Sequence, residues 1–146
     1  MSVYLTVNSE AISGRAFRAR DLSPLLGKSH RGSNLVLPGA TGRRPYAGVI
    51  DEIDVAIEWN VDGIYDYTNA RHSDVTKGVA LNIAHYKALF MDNGNATTGL
   101  VAATLTQPDA TLSASIQCRS FDVAWNSGRY SARVVTRIIV PAGVWT

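Results

Sequence analysis

From Ile53 to Asp62 the chain alternates without a break. Ile53, Val55, Ile57, Trp59 and Val61 fall on one parity, and Asp54, Ala56, Glu58, Asn60 and Asp62 on the other. A period of two is that of a β-strand, whose successive side chains point to opposite faces of the sheet. The apolar set therefore faces a core and the carboxylates face away from it. A slip of one residue would bury Asp54, Glu58 and Asp62, so the register is strongly fixed. Asp62-Gly63 ends the strand with a turn signal. Whatever else the chain does, it has to build a covered sheet around this segment.

The rest of the sequence supplies the cover. Residues 3–7 read as a short strand, and NSEAISG as a turn or the start of a hairpin return. Residues 98–106 form another strand. Leu112, Ala114, Ile116 and Cys118 share one phase, while Phe121, Val123 and Trp125 take the other. A bulge near Arg119-Ser120 reconciles the two phases. Asn126-Ser127-Gly128 makes a turn, after which Tyr130, Ala132, Val134, Thr136, Ile138 and Val140 alternate, so the pair predicts a long β-hairpin. The helix candidate is 74–92, with Val75, Val79, Ile83, Tyr86 and Phe90 on one face. Ser73 or Asp74 caps its start and Asn93-Gly94 its end. Gly78 lowers helix propensity without vetoing it. The chain has 146 residues, 46% hydrophobic and 18% charged, enough apolar material for one packed domain spanning 1–146. The expected fold is mainly β: an antiparallel β-sandwich or barrel with one flanking α-helix and a long extended loop.

That loop is residues 15–48, where Pro24, Gly27, Gly32, Pro38, Gly39, Gly42 and Pro45 break any period. Structureless connections of this length are uncommon in compact domains and are usually functional. Its centre, RGSNLVLPGATGRRPY at 31–46, carries the apolar triplet Leu35-Val36-Leu37, a candidate for a brief strand at the tip. The triplet would be wasted in water, and a glycine-rich loop is costly to order alone. A neighbour offering a groove or a sheet edge resolves both problems. Charge is segregated in the same region. Arg15, Arg18, Arg20, Lys28, Arg31, Arg43 and Arg44 stand against Asp21 alone, while 51–66 holds Asp51, Glu52, Asp54, Glu58, Asp62 and Asp66 with no basic residue. Blocks of opposite sign suit the registration of one subunit on another; solvated faces are the plain alternative.

The residues with chemical potential do not assemble into a reactive pattern. His30, His72 and His85 show no metal-ligand spacing such as HExxH; His72 with Asp74 is the nearest approach. Serines are plentiful but no GxSxG elbow is present. Cys118, the single cysteine, excludes an internal disulfide and sits in a strand phase that predicts a small buried hydrophobe. Glu58 lies about 13 Å along the strand from Asp54, which suits neither acid–base catalysis nor a calcium cage. GATG at 39–42 lacks the lysine and hydroxyl of a phosphate loop. Arg43-Arg44 beside Tyr46 is no nucleic-acid motif, and the acidic strand next to it repels phosphates. No stretch reaches the roughly 20 apolar residues of a membrane span, and the N-terminus shows no secretory signal. The expectation is a protein without catalytic residues, metal or cofactor, folding in a cytoplasm.

The run RGSNLVLPGATGRRPY, with the D-x-x-x-V-x-I strand after it and the closing IIVPAGVWT, resembles small tail proteins of siphophages that infect actinobacteria. The order of a helix followed by β-hairpins is similar to the tail tube and distal tail fold. This resemblance implies a structural subunit forming stacked hexameric rings, with inner sheets joined side by side around a channel that passes DNA. It implies that 31–46 is the loop reaching a neighbour, with Arg31, Asn34, Leu35, Val36, Leu37, Pro38, Arg43, Arg44 and Tyr46 as contact residues. Asp54, Glu58 and Asp62 become candidates for an acidic channel lining. The implied partners are further copies, a tape measure and end-cap proteins. The implied location is a virion tail assembled in the host cytoplasm. A distal tail or neck adaptor fits the same resemblance. From another class, a monomeric β-sandwich ligand-binding module would place Trp59, Trp125 or Trp145 in a groove.

Overall fold

The computed structural model describes residues 3–12, 14–27, 30–35 and 44–146, with backbone alone for 30–35 and 44–50. Its strands, in chain order, are β1 (Tyr4–Val7), β2 (Glu10–Ile12), β3 (Phe17–Ala19), β4 (His30–Leu35), β5 (Arg44–Ile50), β6 (Ile53–Asp62), β7 (Val101–Thr106), β8 (Thr111–Trp125) and β9 (Ser131–Val140). Helix α1 spans Val75–Met91, and a 3-10 turn spans Ser23–Leu26. Seven strands form one antiparallel sheet in the order β2-β1-β7-β8-β9-β6-β3. The sheet folds back on itself, because Leu5, Val7 and Leu105 from one end share a core with Phe17, Trp59 and Val134 from the other. This is the mainly β, barrel-like architecture with one helix that the alternation predicts.

β8 is the hinge of the arrangement. Thr111–Ile116 pairs with β7, and Gln117–Trp125 pairs with β9, with a register shift between Cys118 and Ser120. The bulge thus falls where the two apolar phases collide. In β6, Ile53, Ile57, Trp59 and Val61 are buried, and all ten residues pair with β9. Phe17 is the hub of the core. Its ring stacks on Trp59 at 4.8 Å and on Tyr86 of the helix at 4.4 Å. Trp59 donates its indole N–H to the buried Thr136 hydroxyl at 2.8 Å, so neither polar atom is left unpaired.

Asp74 caps α1, its carboxylate accepting from the Lys77 N–H. Val79, Asn82, Tyr86, Leu89 and Phe90 form the buried face. Gly78 belongs there for a steric reason: a Cβ on it would strike the Gly63 carbonyl, and a Cβ on Gly63 would strike that of Val75. The two glycines let the helix start against the end of β6.

The segment 15–48 is not the uniformly irregular loop its composition suggests. Its first part is core: Ala16, Phe17, Leu22 and Leu25 are buried, and the Trp145 indole donates to the Leu25 carbonyl at 2.9 Å. Glycine and proline punctuation hid these short elements, because three residues are too few to show a period. Its later part contains a separate two-stranded antiparallel sheet, β4 against β5, in which Asn34 pairs with Pro45 and Leu35 with Arg44.

Candidate assembly interface

Three surfaces carry the residues singled out by sequence. The first is the outer face of β6. Asp54, Glu58 and Asp62 all point away from the core, as the alternation requires. None stands alone. Arg137 of β9 grips Asp54 with two nitrogens, one at 2.8 Å. Glu58 lies between Arg20 at 3.3 Å and Arg133 at 3.4 Å, and Asp62 meets Arg18 at 3.2 Å. The hydrogen bond from Arg137 holds the Asp54 carboxyl below its usual range and raises the guanidinium in turn. Four arginines thus face three carboxylates, and the expectation of an acidic face is corrected. The same contacts revise the charge blocks. Arg18 and Arg20 come from the basic block, Asp62 and Glu58 from the acidic one, and β3 and β6 are antiparallel neighbours. Part of the complementarity is satisfied inside one chain. Arg133 and Arg137 escaped the sequence reading, although their outward parity in 130–140 was a signal for them.

The second region is the β4–β5 strand pair. Arg31, Asn34 and Leu35 lie in β4, and Arg44 and Tyr46 in β5. Val36, Leu37, Pro38 and Arg43 lie outside the described residues.

The third surface is the far half of β8. Beyond its bulge, β8 has β9 on one side and, among the described residues, no strand on the other. Val123 and Trp125 have the parity of the core yet are 36% and 39% exposed, and Tyr130 in the following turn is 66% exposed. Gly128 makes that turn with φ of 77°, where a Cβ would strike the Tyr130 ring. Arg129 lies over the Trp125 ring at 5.6 Å. Of the three tryptophans offered as a ligand platform, Trp59 and Trp145 are buried, which removes them from any groove.

His72 and His85 each have a carboxylate partner. His72 pairs with Asp66 at 2.9 Å, and His85 pairs with Glu10 at 2.6 Å while stacking on Tyr67 at 3.7 Å. Asp74, the other half of the suggested metal pair, is engaged as the helix cap. Among the described residues no three ligand-type side chains converge. Burial pushes the Cys118 thiol up to about 11, and the thiol donates to the Ser120 carbonyl, so it is not poised as a nucleophile.

The chain matches no family model and no curated protein sequence. Its fold is that of two solved tail structures. One is the Dit protein (gp 19.1) of phage SPP1, described as a paradigm of the hub adsorption apparatus of phages infecting Gram-positive hosts. It is matched with a TM-score of 0.56 and 8% identity over 98% of this chain and 51% of that one. This chain therefore spans about half the length of the hub protein. The other is the tail of an empty GTA particle with C6 symmetry, at a TM-score of 0.51 and 14% identity, covering 99% of this chain and 92% of that one. At such identities the likeness is one of fold.

Proposed function

We propose that the chain is a structural subunit of a phage-type tail, closing by strand pairing into hexameric rings that stack into a tube. The observation that carries this is the far half of β8: a hydrogen-bonding edge with no partner strand among the described residues, flanked by uncovered Val123 and Trp125. Open apolar edges are a hazard that monomeric proteins blunt with charge, proline or cover. The complementary edge lies across the sheet. β3 reaches only Trp59–Val61 of β6, leaving the Asp54–Ala56 side without a strand among the described residues. Pairing of unlike edges is head-to-tail and closes into a ring when the rotation permits. The six-fold symmetry of the GTA tail supports the count.

In such a ring the outer face of β6 lines the bore. Asp54, Glu58 and Asp62 line it together with their arginines, so DNA meets a balanced face that neither grips nor strongly repels it. The segment 31–46 reaches a neighbouring subunit, and tape measure and end-cap proteins meet the tube inside and at its ends. A hub position at the distal tail is the second reading, favoured by the near-complete overlay on half of the SPP1 protein.

Native mass spectrometry and negative-stain microscopy of concentrated protein test the proposal. Stacked six-fold rings fit the tube, and single rings fit the hub. Val123→Pro, which removes an edge N–H, should leave a folded monomer. Monomers at all concentrations, or rings indifferent to Val123→Pro, would sink it.

A further inference from the structure

The row Phe17, Val61, Ala132, Trp125 crosses β3, β6, β9 and β8 in register. The segments that leave the sheet beyond this row share one end of the molecule: residues 14–16, 63–73 and 126–130. This end differs from the outer face next to it in how its arginines are used. Arg18, Arg20, Arg133 and Arg137 on the face each hold a carboxylate. Among the described residues, Arg15, Arg71 and Arg129 at the end hold none. The carboxylates there are already engaged: Asp62 by Arg18, Asp66 by His72 and its own turn, and Asp74 by the helix N-terminus.

Two of the three free guanidiniums are laid on aromatic rings. Arg15 sits 4.5 Å above Tyr65, and Arg129 sits 5.6 Å from Trp125. A stacked guanidinium is held in place while its N–H fork stays open to a carboxylate. Arg15 borders a cleft of about 240 Å³ with Arg18, Asp62, Ile64 and Tyr65. Exposed Tyr130 completes the patch, while Trp125, whose open face belongs to the ring contact, serves here only to seat Arg129. Arginine, tryptophan and tyrosine are the residues that dominate protein interfaces.

We infer that this end of the sheet docks an acidic segment of a different protein, not a second copy of this chain. The inference rests on the tail reading and adds a partner to it. The chain's own reaching segment cannot be the occupant. Residues 28–50 contain Lys28, His30, Arg31, Arg43 and Arg44 and not one carboxylate, so segment on patch would set arginine against arginine. In a stacked tube this end is open only on the terminal ring, which is thus where the homotypic tail stops and an unlike component begins.

Fluorescence anisotropy tests it on the full chain with three labelled probes: an alternating Glu-Phe peptide, a synthetic 28–50 peptide and a short DNA duplex. The acidic peptide should bind, weaken with salt, and lose at least about tenfold in affinity in the Arg15→Gln, Arg129→Gln double variant. Arg137→Gln should leave it unchanged. Circular dichroism checks that the double variant folds. An acidic peptide that does not bind, or that binds the double variant equally, overturns the inference. So does tighter binding of the 28–50 peptide, which would make the end a homotypic seat, or of DNA, which would make it a nucleic-acid contact. Native mass spectra of the same samples keep the two readings apart. Rings without peptide binding refute the patch alone, and peptide binding without rings refutes the tail reading alone.

Discussion

Trp59 and Val123 occupy one row of the sheet. Trp59 faces Val134 across one ladder, and Val134 faces Val123 across the next, so all three side chains point the same way. Trp59 is fully buried and Val123 is 36% exposed. Helix α1 and Phe17 cover the β6 column, and Phe90 reaches Phe121 at 6.2 Å, but the cover ends there. Both strands alternate in sequence, and both parities are right. Alternation reports the side on which a residue lies; it does not report whether anything lies over it. An apolar residue of core parity with nothing above it marks the place where a subunit expects a partner.

Two tryptophans sharpen this most. Trp59→Ala removes a fully buried indole, leaves the Thr136 hydroxyl unpaired and opens a cavity at the centre of the aromatic stack. It should cost about 3–5 kcal/mol, measured by urea unfolding. Trp125→Ala, on the same inner side, should cost the isolated subunit less than about 1 kcal/mol while weakening assembly. Equal losses of stability would mean that the two columns are covered alike, and the comparison would fail.

Gly78→Ala tests how tightly that cover is seated. Alanine gains up to about 1 kcal/mol of helix propensity. It also drives a methyl into the Gly63 carbonyl, where rigid backbone cannot yield as a side-chain tip would. Overpacking of this kind costs about 1–3 kcal/mol, so the net effect should be destabilising. A stabilised variant would show that the helix can lift from β6 without loss.

What could be read from sequence divides along the same line. β6, the β8–β9 hairpin, the bulge and the helix were legible because each spans enough residues to display a period and has one face against the core. β2 and β3 have three residues each and display none. The outward arginines of β9 were visible as a parity, but their partners on β6 depend on which strands are neighbours. The phase of Val123 and Trp125 was visible in the sequence, but their exposure was not. The amount of cover is a property of the whole fold and leaves no local trace.

Acid should reach the two regions unequally. Asp66, just past the end of β6, accepts from the Thr68 hydroxyl and from the N–H groups of Thr68 and Ala70, and it pairs with His72. Those bonds, that to the Thr68 side chain foremost, hold its carboxyl far below the ordinary range. A depressed pKa contributes stability that is whole above the unfolded value, about 3.9, and is lost as pH falls toward the folded one. Thermal unfolding between pH 7 and pH 3 should therefore fall less steeply in Asp66→Asn than in the parent, from a lower start. Parallel curves would show that the turn does not couple to protonation. The far half of β8 has no such turn among the described residues.

The smallest effect is the most specific. Glu58 lies between Arg20 and Arg133, both more than half exposed, and an ion pair in such a setting contributes only about 0–1 kcal/mol. Glu58→Gln should therefore barely move the unfolding midpoint. What it alters is the balance of the ion-paired cluster, which then holds four arginines against two carboxylates. If the face bearing this cluster lines a bore, the excess positive charge attracts phosphate, and the attraction falls as salt screens it. Assembled rings of Glu58→Gln should retain a DNA duplex at low ionic strength and release it at high. Parent rings should retain little at either, and Asp122→Asn should change retention less, since Asp122 has no arginine within ion-pair distance among the described residues. The readout is the fraction of labelled duplex that stays with the rings through gel filtration. No retention by Glu58→Gln would place the paired face of β6 away from the bore, and the uncovered half of β8 would then be the better candidate for lining it.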